Sequence, residues 1–462
     1  MGDVITIDPI TRISGFMEIR VEAEQNIIVS AEAEGLLYRG FEVMLEGRPP
    51  MDAIFFTERI CGICSAAHAL ASTLALEKAF NVNPSINDTY LREIIHGFEF
   101  VQNHLRHFYL FTIPSYVNIT SINVVSDQQY HDFRLPPEIN QQLERHYIEG
   151  IDYARLAHEG QAVLGGKAPH NHGIFINGVT VIIDPYQLEK VKSIISRILS
   201  FVSTTMREDA EILAQYYPDY FEKGISYPNF MSYGVFDHED KDISYLSPGI
   251  MIDGVRYPLQ PEKFVEQINY AWYRNNQPVD EVDLSKPDAY SFIKAPRYDG
   301  QPMEVGPLAR LLISGEYTGG HSCMDRNIAR MLETEKILNI IYHLAERIQL
   351  NPNSQRTCLV PESGQGAGLV DTTRGALGHW VSISNSVISH YNIITPSTWN
   401  LSPKDEAGIP GVVERSLIGS SINNISEPVE IGRIVRSFDP CVSCATHLIG
   451  NKREQTVIEV IV

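Results

Sequence analysis

The chain has 462 residues, enough for one large domain or for two or three smaller ones, with 44% hydrophobic and 20% charged residues. That composition is typical of a globular protein and excludes a disordered, collagenous or disulfide-scaffold chain. Lys and Arg number 37 against 57 Asp and Glu, and the net charge of −20 would repel nucleic-acid phosphates and anionic headgroups. We therefore expect no nucleic-acid binding.

Membrane insertion and targeting are not expected either. No apolar run reaches the roughly 18 residues that a spanning helix needs. The first residues lack the basic and then apolar pattern of a signal peptide. The sequence therefore predicts a cytoplasmic chain, or one held at a membrane through a partner, with no targeting signal of its own.

The order of predicted elements indicates a mainly helical α+β protein. Residues 4–33 alternate apolar and polar side chains, which predicts a small antiparallel hairpin, and residues 52–80 then take on helical spacing. Further helical spacing lies at residues 91–111, 137–164, 188–216, 261–275 and 326–350. Residues 165–173 and 217–260 are rich in loop residues, and short strands and turns are expected from residue 378 onward.

Four of the six cysteines form two Cys-x-x-Cys pairs near opposite ends of the chain, Cys61 with Cys64 and Cys441 with Cys444. Such pairs converge on one ion, and four thiolates suit structural zinc, an iron–sulfur cluster or another thiophilic metal. A zinc ribbon is disfavoured because its knuckles lie some tens of residues apart, whereas these pairs are far apart. The isolated Cys323 and Cys358 are expected to be inert buried thiols.

The sequence around each pair is distinctive, because a histidine follows the second cysteine by three or four residues: His68 in one case and His447 in the other. Further short motifs lie at residues 8–13, 39–42, 165–170, 374–377 and 396–400. Taken together and in this order, these motifs resemble the large, catalytic subunit of nickel–iron hydrogenases over essentially the whole chain. The resemblance implies one large domain over residues 1–447, in which the N- and C-terminal motifs meet at a buried metal site.

The resemblance implies a metal centre held by the four cysteines. Cys61, Cys64, Cys441 and Cys444 would bind nickel, and Cys64 and Cys444 would also bridge to an iron that carries carbon monoxide and cyanide. Soft, electron-rich sulfur ligands are consistent with such a site. The function implied is reversible heterolytic activation of H2, chiefly in the direction of H2 uptake.

Other site residues are implied by the same resemblance. Arg374, Asp439 and Cys444 are the implied catalytic residues, with the Arg374 guanidinium above the metals and Asp439 paired near it. Pro396 and Ser397 would cradle the iron cyanides through hydrogen bonds.

Two further sites are implied close to the cysteines. Glu42, His447 and the carbonyl of Ile393 would hold a buried magnesium ion, for which oxygen ligands are suited. His68 would donate a hydrogen bond from its ring to a bridging cysteine and tune that sulfur.

The sequence departs from the usual pattern of the family at two positions. The common motif Thr-Arg-Ile-Glu-Gly-His reads Thr-Arg-Ile-Ser-Gly-Phe at residues 11–16, so Ser14 stands where a glutamate relays protons. A serine hydroxyl passes a proton along a chain of hydrogen bonds but does not hold one as a carboxylate does. Asn103 likewise stands where many relatives have aspartate. These changes predict slower proton exit or another route.

The resemblance also implies partners. Four cysteines are committed and two are isolated, so the electrons need an iron–sulfur small subunit. Residues 448–462 resemble the cleavable C-terminal extension that a nickel-dependent protease removes during maturation. The rival hypotheses are a slow H2-sensing regulator, a related subunit that has lost hydrogen chemistry, and a zinc-stapled scaffold.

Overall fold

The computed structural model describes residues 2–121, 132–274, 281–350 and 358–445. Over these ranges the chain forms thirteen α-helices and five small antiparallel sheets. The α-helices are α1 Phe41–Leu45, α2 Asp52–Glu58, α3 Ser65–Phe80, α4 Ile86–Arg106, α5 Pro137–Gly165, α6 Pro185–Phe201, α7 Arg207–Tyr216, α8 Pro307–Ser314, α9 Cys323–Arg347, α10 Pro396–Asn400, α11 Val412–Leu417, α12 Val429–Ser437 and α13 Val442–Ala445. The mainly helical α+β fold predicted from the sequence is confirmed.

The sheets have two or three strands each. The strands are β1 Asp3–Ile7, β2 Met17–Glu24, β3 Ile27–Gly35, β4 Ile174–Phe175, β5 Gly178–Val179, β6 Asn229–Ser232, β7 Gly249–Ile252, β8 Val255–Tyr257, β9 Phe264–Gln267, β10 Ala295–Tyr298, β11 Ser363–Thr372, β12 Gly375–Ser384 and β13 Val387–Ile394. They pair as β1-β2-β3, β4-β5, β6-β7-β8, β9-β10 and β11-β12-β13. The predicted N-terminal hairpin is therefore present, with a third strand added at its edge.

The helical body is centred on α4, whose buried face packs against α5 and α9. Ser85 caps the start of α4 by accepting a hydrogen bond from the backbone N–H of Asp88, and α9 begins with a capping box formed by Ser322 and Asp325. Gly97 permits the close approach of α9, since a Cβ there would lie 2.2 Å from a methyl carbon of Ile341. Among the described residues, no helix is both long and apolar enough to cross a membrane.

Helix α3 lies directly against β11, and small residues on both elements make this contact possible. A Cβ on any of three alternate glycines of β11 would lie 1.9–2.4 Å from a backbone carbonyl oxygen of α3. The facing residues are Gly364 with Ala79, Gly366 with Ala75 and Gly368 with Ala71. Four helical residues rise about 6.0 Å and two strand residues about 6.8 Å. Each glycine of β11 therefore stays opposite an alanine of α3 along the contact. This contact brings the C-terminal sheet beside the first cysteine pair.

Two predictions about secondary structure are wrong. Residues 261–275 were expected to be helical, but Pro261–Lys263 is a single 3-10 turn, followed by β9, which pairs with β10. Tertiary pairing outweighs the weak helical spacing there. The segment from residue 378 does form strands up to Ile394, but helices α10 to α13 follow. Helices α10, α11 and α13 have only four to six residues, too few to show a helical period in the sequence.

Candidate metal centre

The two cysteine pairs approach each other from opposite ends of the chain. Cys61 and Cys64 lie in the turn that leads into α3, and Cys64 is the N-cap residue of that helix. Cys441 precedes α13 and forms a parallel β-bridge with Ser14. In that bridge the N–H of Ser14 donates to the carbonyl of Pro440 at 3.1 Å, and Val442 donates to the carbonyl of Ser14 at 2.7 Å.

The four sulfur atoms converge in a buried cluster. All four lie within 4.8 Å of one another, and among the described residues no other group of His, Cys, Asp or Glu ligand atoms converges in this way. The closest Sγ–Sγ distances are 2.9 Å between Cys441 and Cys444, 3.2 Å between Cys64 and Cys444, and 3.4 Å between Cys61 and Cys441. The four side chains are therefore placed to act as ligands of one metal site.

Neighbouring thiols shift the protonation of the cluster. Hydrogen bonds from the Cys441, Cys444 and Cys64 thiols hold the pKa of Cys61 well below its usual range. Burial raises the pKa of Cys444, and its thiol neighbours raise it further. The pKa shifts therefore favour a thiolate at Cys61 and a thiol at Cys444, and a bound metal cation would balance the charge of all four sulfurs as thiolates.

Arg374 lies beside the cluster and is held by Asp439 and Asn103. Its Nε donates to the carbonyl of Asp439 at 2.8 Å, and its Nη2 donates to Asp439 Oδ1 at 3.0 Å and to Asn103 Oδ1 at 2.9 Å. The remaining nitrogen, Nη1, is buried and has no hydrogen-bond partner among the described residues. A buried guanidinium with one unused donor beside four thiols fits an anionic group bound at the metals.

Arg374 and Asp439 are held in their charged forms. Burial alone would raise the pKa of Asp439, but the charges of Arg374, His107 and Arg330 and the hydrogen bond from Asn103 hold it well below its usual range. Burial alone would lower the pKa of Arg374, but Asp439 and the cysteines raise it. The Asp439 carboxylate and the Arg374 guanidinium are therefore both charged near neutral pH.

Pro396 and Ser397 form the first turn of α10 and lie against the C-terminal cysteines. The Ser397 hydroxyl oxygen accepts a hydrogen bond from the backbone N–H of Cys441 at 3.0 Å. Because the oxygen is the acceptor in that bond, the hydroxyl keeps its own O–H to donate. Both residues are buried.

Glu42 and Ile393 lie side by side, as a shared ion would require. The backbone N–H of Ile393 donates to Glu42 Oε1 at 2.8 Å, and the ammonium of Lys294 lies 3.8 Å from Glu42 Oε2. Lys294 was not anticipated from the sequence. His447, the third predicted ligand, lies outside the described residues, as does the predicted extension 448–462.

His68 lies in the first turn of α3, where its ring contacts a second histidine. Its Nδ1 is 3.1 Å from Nε2 of His379, and the Nδ1 of His379 is 2.8 Å from the hydroxyl of Tyr391. Burial lowers the pKa of His68 to about 4, although the Cys61 thiolate acts in the opposite direction. The sequence identified His68 but gave no sign of His379 or Tyr391, because a contact between a helix and a sheet leaves no local pattern.

Glu99 is a site residue that the sequence reasoning missed. Its carboxylate accepts hydrogen bonds from the backbone N–H groups of Ala66 and Ala67, at 2.7 and 3.0 Å, and so caps the start of α3 directly after Cys64. Burial raises its pKa to about 8. Glu99 precedes Asn103 by four residues on α4, and this spacing on one helix face was the available signal.

The isolated cysteines differ from each other. Cys323 is fully buried, as predicted, and its thiol donates to the carbonyl of Arg433 at 3.4 Å. Cys358 is only half-buried, so the prediction of a buried thiol is wrong there. It lines a surface cleft together with Phe55 and Phe175.

The fold and the cluster define a class of protein: a mainly helical α+β subunit with a buried four-thiolate metal centre and an arginine beside it. The sequence model of the family described as nickel-dependent hydrogenase matches residues 39–132, 125–320 and 315–447. The chain therefore belongs to the nickel-dependent hydrogenase family, and it is a hydrogenase large subunit of the nickel–iron type.

Individual relatives match along almost the whole chain. The periplasmic [NiFeSe] hydrogenase large subunit of Desulfomicrobium baculatum is 30% identical, with 96% of this chain and 95% of the relative covered. The hydrogenase-2 large chain of Escherichia coli is 28% identical, with 99% of each chain covered. The solved Ni-Fe-Se hydrogenase of D. vulgaris Hildenborough in the reduced state superposes with a TM-score of 0.93 at 32% identity, covering 97% of this chain and 100% of that one. In this chain all four converging residues are cysteines.

Proposed function

We propose that this hydrogenase subunit works in the direction of H2 uptake, at a centre in which Cys61, Cys64, Cys441 and Cys444 hold nickel. Cys64 and Cys444 would also hold an iron with carbon monoxide and cyanide ligands. The single observation that carries the proposal is the convergence of four buried sulfurs within 4.8 Å. An uptake hydrogenase large subunit of Rhodobacter capsulatus, 28% identical over 97% of this chain, supports the direction and does not favour the sensing alternative.

When bound, the metals supply the Lewis-acid and redox chemistry that splits H2. The contribution of Arg374 is electrostatic. Asp439 and Asn103 fix its guanidinium through three hydrogen bonds, which leave Nη1 free to face charge that develops at the centre. A fixed, fully charged group in a buried site needs no reorganisation during the reaction.

Ser397 and Pro396 would bind the cyanides of the iron. The Ser397 hydroxyl is fixed by the Cys441 N–H, so its own proton points away from that bond and can serve an anionic ligand. Pro396 begins α10, and a proline at this position is compatible with helix geometry because its missing N–H is not needed there.

Glu42, the carbonyl of Ile393 and His447 would hold magnesium. The pairing of Glu42 with Ile393 fits two of these ligands, and a magnesium ion usually keeps several waters. The nearby Lys294 adds a positive charge on the side of Glu42 Oε2, so the ion would have to share this carboxylate with an ammonium group.

The electrons would leave through an iron–sulfur small subunit. The naming of the relatives as large subunits or large chains supports such a pairing. Residues 448–462 would be removed by a maturation protease, with residues 1–447 as the mature domain. The cytoplasmic or partner-tethered location stays a prediction that cell fractionation tests.

The test is an infrared spectrum of the protein purified without oxygen from its host, with nickel and iron measured on the same sample. Bands of metal-bound carbon monoxide and cyanide, together with nickel and H2 oxidation, are expected. Zinc in place of nickel, with no such bands in protein that ends at residue 447, would reject the proposal. Mass spectrometry of the C-terminus separates that outcome from an unprocessed precursor.

A further inference from the structure

Arg374 lies in the turn of a tight β-hairpin, between the last residue of β11 and the first residue of β12. Thr372 pairs directly with Gly375 in the strand register, so Thr373 and Arg374 alone form the turn. Gly375 has a φ of +124°, which favours glycine, and a Cβ there would lie 2.6 Å from the backbone nitrogen of Gly306, directly before α8. The backbone of Arg374 is therefore placed by this turn and by its contact with α8.

The side chain of Arg310, on α8, binds the residues that lead to Arg374. Its Nη1 donates to the carbonyl of Thr372 at 2.9 Å and to Asp371 Oδ2 at 3.0 Å. Its Nη2 donates to the carbonyl of Thr373 at 3.3 Å. One planar guanidinium group thus contacts three consecutive residues at the end of β11 and in the turn.

The carboxylate of Glu333, on α9, fixes the orientation of that guanidinium. Arg310 Nε donates to Oε1 at 2.6 Å and Nη2 donates to Oε2 at 2.7 Å, which is a bidentate ion pair. Both side chains are 0% exposed. An arginine has five N–H groups, and Arg310 makes five hydrogen bonds: two to Glu333 and three to residues 371–373. All of its donors are therefore committed to Glu333 and to this segment.

The same carboxylate also supports the residue that binds the Arg374 side chain. Glu333 Oε2 lies 2.8 Å from Nε2 of His104, which follows Asn103 on α4. Asn103 Oδ1 in turn accepts the hydrogen bond from Arg374 Nη2 at 2.9 Å. The turn that carries Arg374 and the acceptor beside its guanidinium are therefore both tied to Glu333.

We propose that Arg310 is a positioning residue of the metal centre: it holds the turn that carries Arg374 and thereby fixes where the Arg374 guanidinium lies. Arg310 acts through Arg374 alone, because its five hydrogen bonds all end at Glu333 and at residues 371–373. The proposal rests on the function proposed above, in which Arg374 acts on the metals. A buried Arg–Glu pair that only stabilised the core would leave the reaction unaffected, so the test separates these two roles.

Arg310→Lys tests the proposal through a comparison of single and double variants. A lysine keeps the charge opposite Glu333, but its single ammonium group cannot bind two carbonyls and two carboxylates at once. We expect the rate of H2 oxidation to fall about 10- to 100-fold, in kcat rather than in KM, since a small displacement of a catalytic group has effects of this size. The nickel content should stay the same. In the Arg374→Lys protein, adding Arg310→Lys should cause no further loss, because the group that Arg310 positions is already replaced.

The matched control is Arg92→Lys. Arg92 is buried and forms the same kind of bidentate pair with Glu77, at 2.7 and 3.1 Å, but the carbonyls that it binds belong to Phe175 and Gly178. We expect this variant to lose stability and to keep the rate and the infrared bands of the unmodified protein. Equal losses of rate in the two single variants, an unchanged rate in Arg310→Lys, or losses that multiply in the double variant would overturn the proposal.

Infrared bands give a readout other than activity. The carbon monoxide band should shift in Arg310→Lys in the same direction as in Arg374→Lys, because both variants displace the same positive charge, and the double variant should show no further shift. If Arg310→Lys does not fold, Glu333→Gln takes its place. It keeps Arg310 but weakens one of the two bonds that orient it, so the same pattern is expected with a smaller loss. An unshifted band in the variant that folds would overturn the proposal.

Amide hydrogen exchange tests the hold of Arg310 on the turn independently of the metals. In the full-length protein, peptides that cover residues 370–378 should exchange faster in Arg310→Lys, whereas in Arg92→Lys the faster exchange should lie at residues 174–179. Unchanged exchange at residues 370–378 in Arg310→Lys would overturn the proposal. Faster exchange there in a protein without carbon monoxide bands would reject the proposed function instead.

Discussion

Cys61 and Cys64 are held by one long helix, whereas Cys441 and Cys444 are held by contacts from distant parts of the chain. Cys64 caps the sixteen-residue α3, whose first turn is fixed by Glu99. Cys441, in contrast, depends on the backbone bridge to residue 14 and on the Ser397 hydroxyl.

The difference has a consequence for assembly. Cys64 leads directly into the sixteen-residue α3, so the turn that holds the first pair gains order from helix formation as well as from the contact with β11. Cys441 is placed by residue 14 and by Ser397, which lie far from it in the sequence. Placing the second pair therefore requires contacts between distant parts of the chain, which cost more chain entropy to form.

The largest effect is expected from replacing a cysteine of the second pair, because this should destroy the metal site. Cys441→Ser should abolish nickel binding and H2 oxidation, because a serine hydroxyl is a poor ligand for a soft metal. Metal analysis and an H2 uptake assay check this. Cys323→Ser, a buried cysteine outside the cluster, should keep its nickel. A Cys441→Ser protein with full nickel content would show that the first pair suffices.

A large effect without metal loss is expected from Arg374→Lys. Lysine keeps the charge but not the planar fork that bonds Asp439 and Asn103 at once, so H2 oxidation should fall about 10²–10³-fold. The nickel content should not change. Arg347→Lys, at the end of α9, where the arginine pairs with Asp240, is the control. A rate close to that of the unmodified protein would contradict the electrostatic role.

Ser14 bridges to Cys441 of the second pair and is the residue expected to affect proton transfer. Its hydrogen bonds to Pro440 and Val442 are made by its backbone, so Ser14→Glu should leave the bridge to Cys441 intact. If proton exit is slow because no carboxylate stands there, this variant should raise hydrogen/deuterium exchange several-fold. Ser30→Glu, in β3, serves as the control. Exchange that is unchanged in Ser14→Glu would reject the hypothesis of slow proton exit.

The packing of α3 on β11, which supports the first cysteine pair, can be tested by a substitution in β11. A Cβ in Gly366→Ala would lie 2.0 Å from the carbonyl oxygen of Ala75, so α3 and β11 must separate. We expect a loss of about 1–3 kcal/mol in unfolding free energy and a lower unfolding temperature. Gly249→Ala, where the nearest atom would lie at 3.4 Å, should have little effect. Equal unfolding temperatures for both variants would show that the contact can relax.

A pH dependence of stability is expected from Glu99. Burial raises its pKa from 4.5 to about 8, so between these values the folded chain keeps a proton that the unfolded chain has released. Stability then falls as the pH rises from about 5 to about 8. In Glu99→Gln that decline should be smaller, as unfolding temperatures across this range would show. The exposed Glu138→Gln should follow the unmodified protein, and a Glu99→Gln profile that does the same would contradict the raised pKa.

Much of this architecture was readable from local sequence. The N-terminal strands, α3, α4, α5 and α9 follow from periodic patterns that extend over many residues. Strand β11 was not predicted, because alternate glycines lower the strand signal while they create the contact with α3. The helical prediction at 261–275 failed because the pairing of β9 with β10 outweighed the local spacing.

The sequence by itself determined the ligand types: two Cys-x-x-Cys pairs, an arginine and a histidine within motifs that resemble a known family. Only the tertiary structure decided that the four sulfurs share one space, that Arg374 keeps one free donor and that His68 is joined to His379 and Tyr391. The physical reason is the distance along the sequence between the residues that make contact. Spacing along the chain fixes which residues share a turn or a helix face, whereas contacts between residues 300 or more positions apart depend on how whole elements pack.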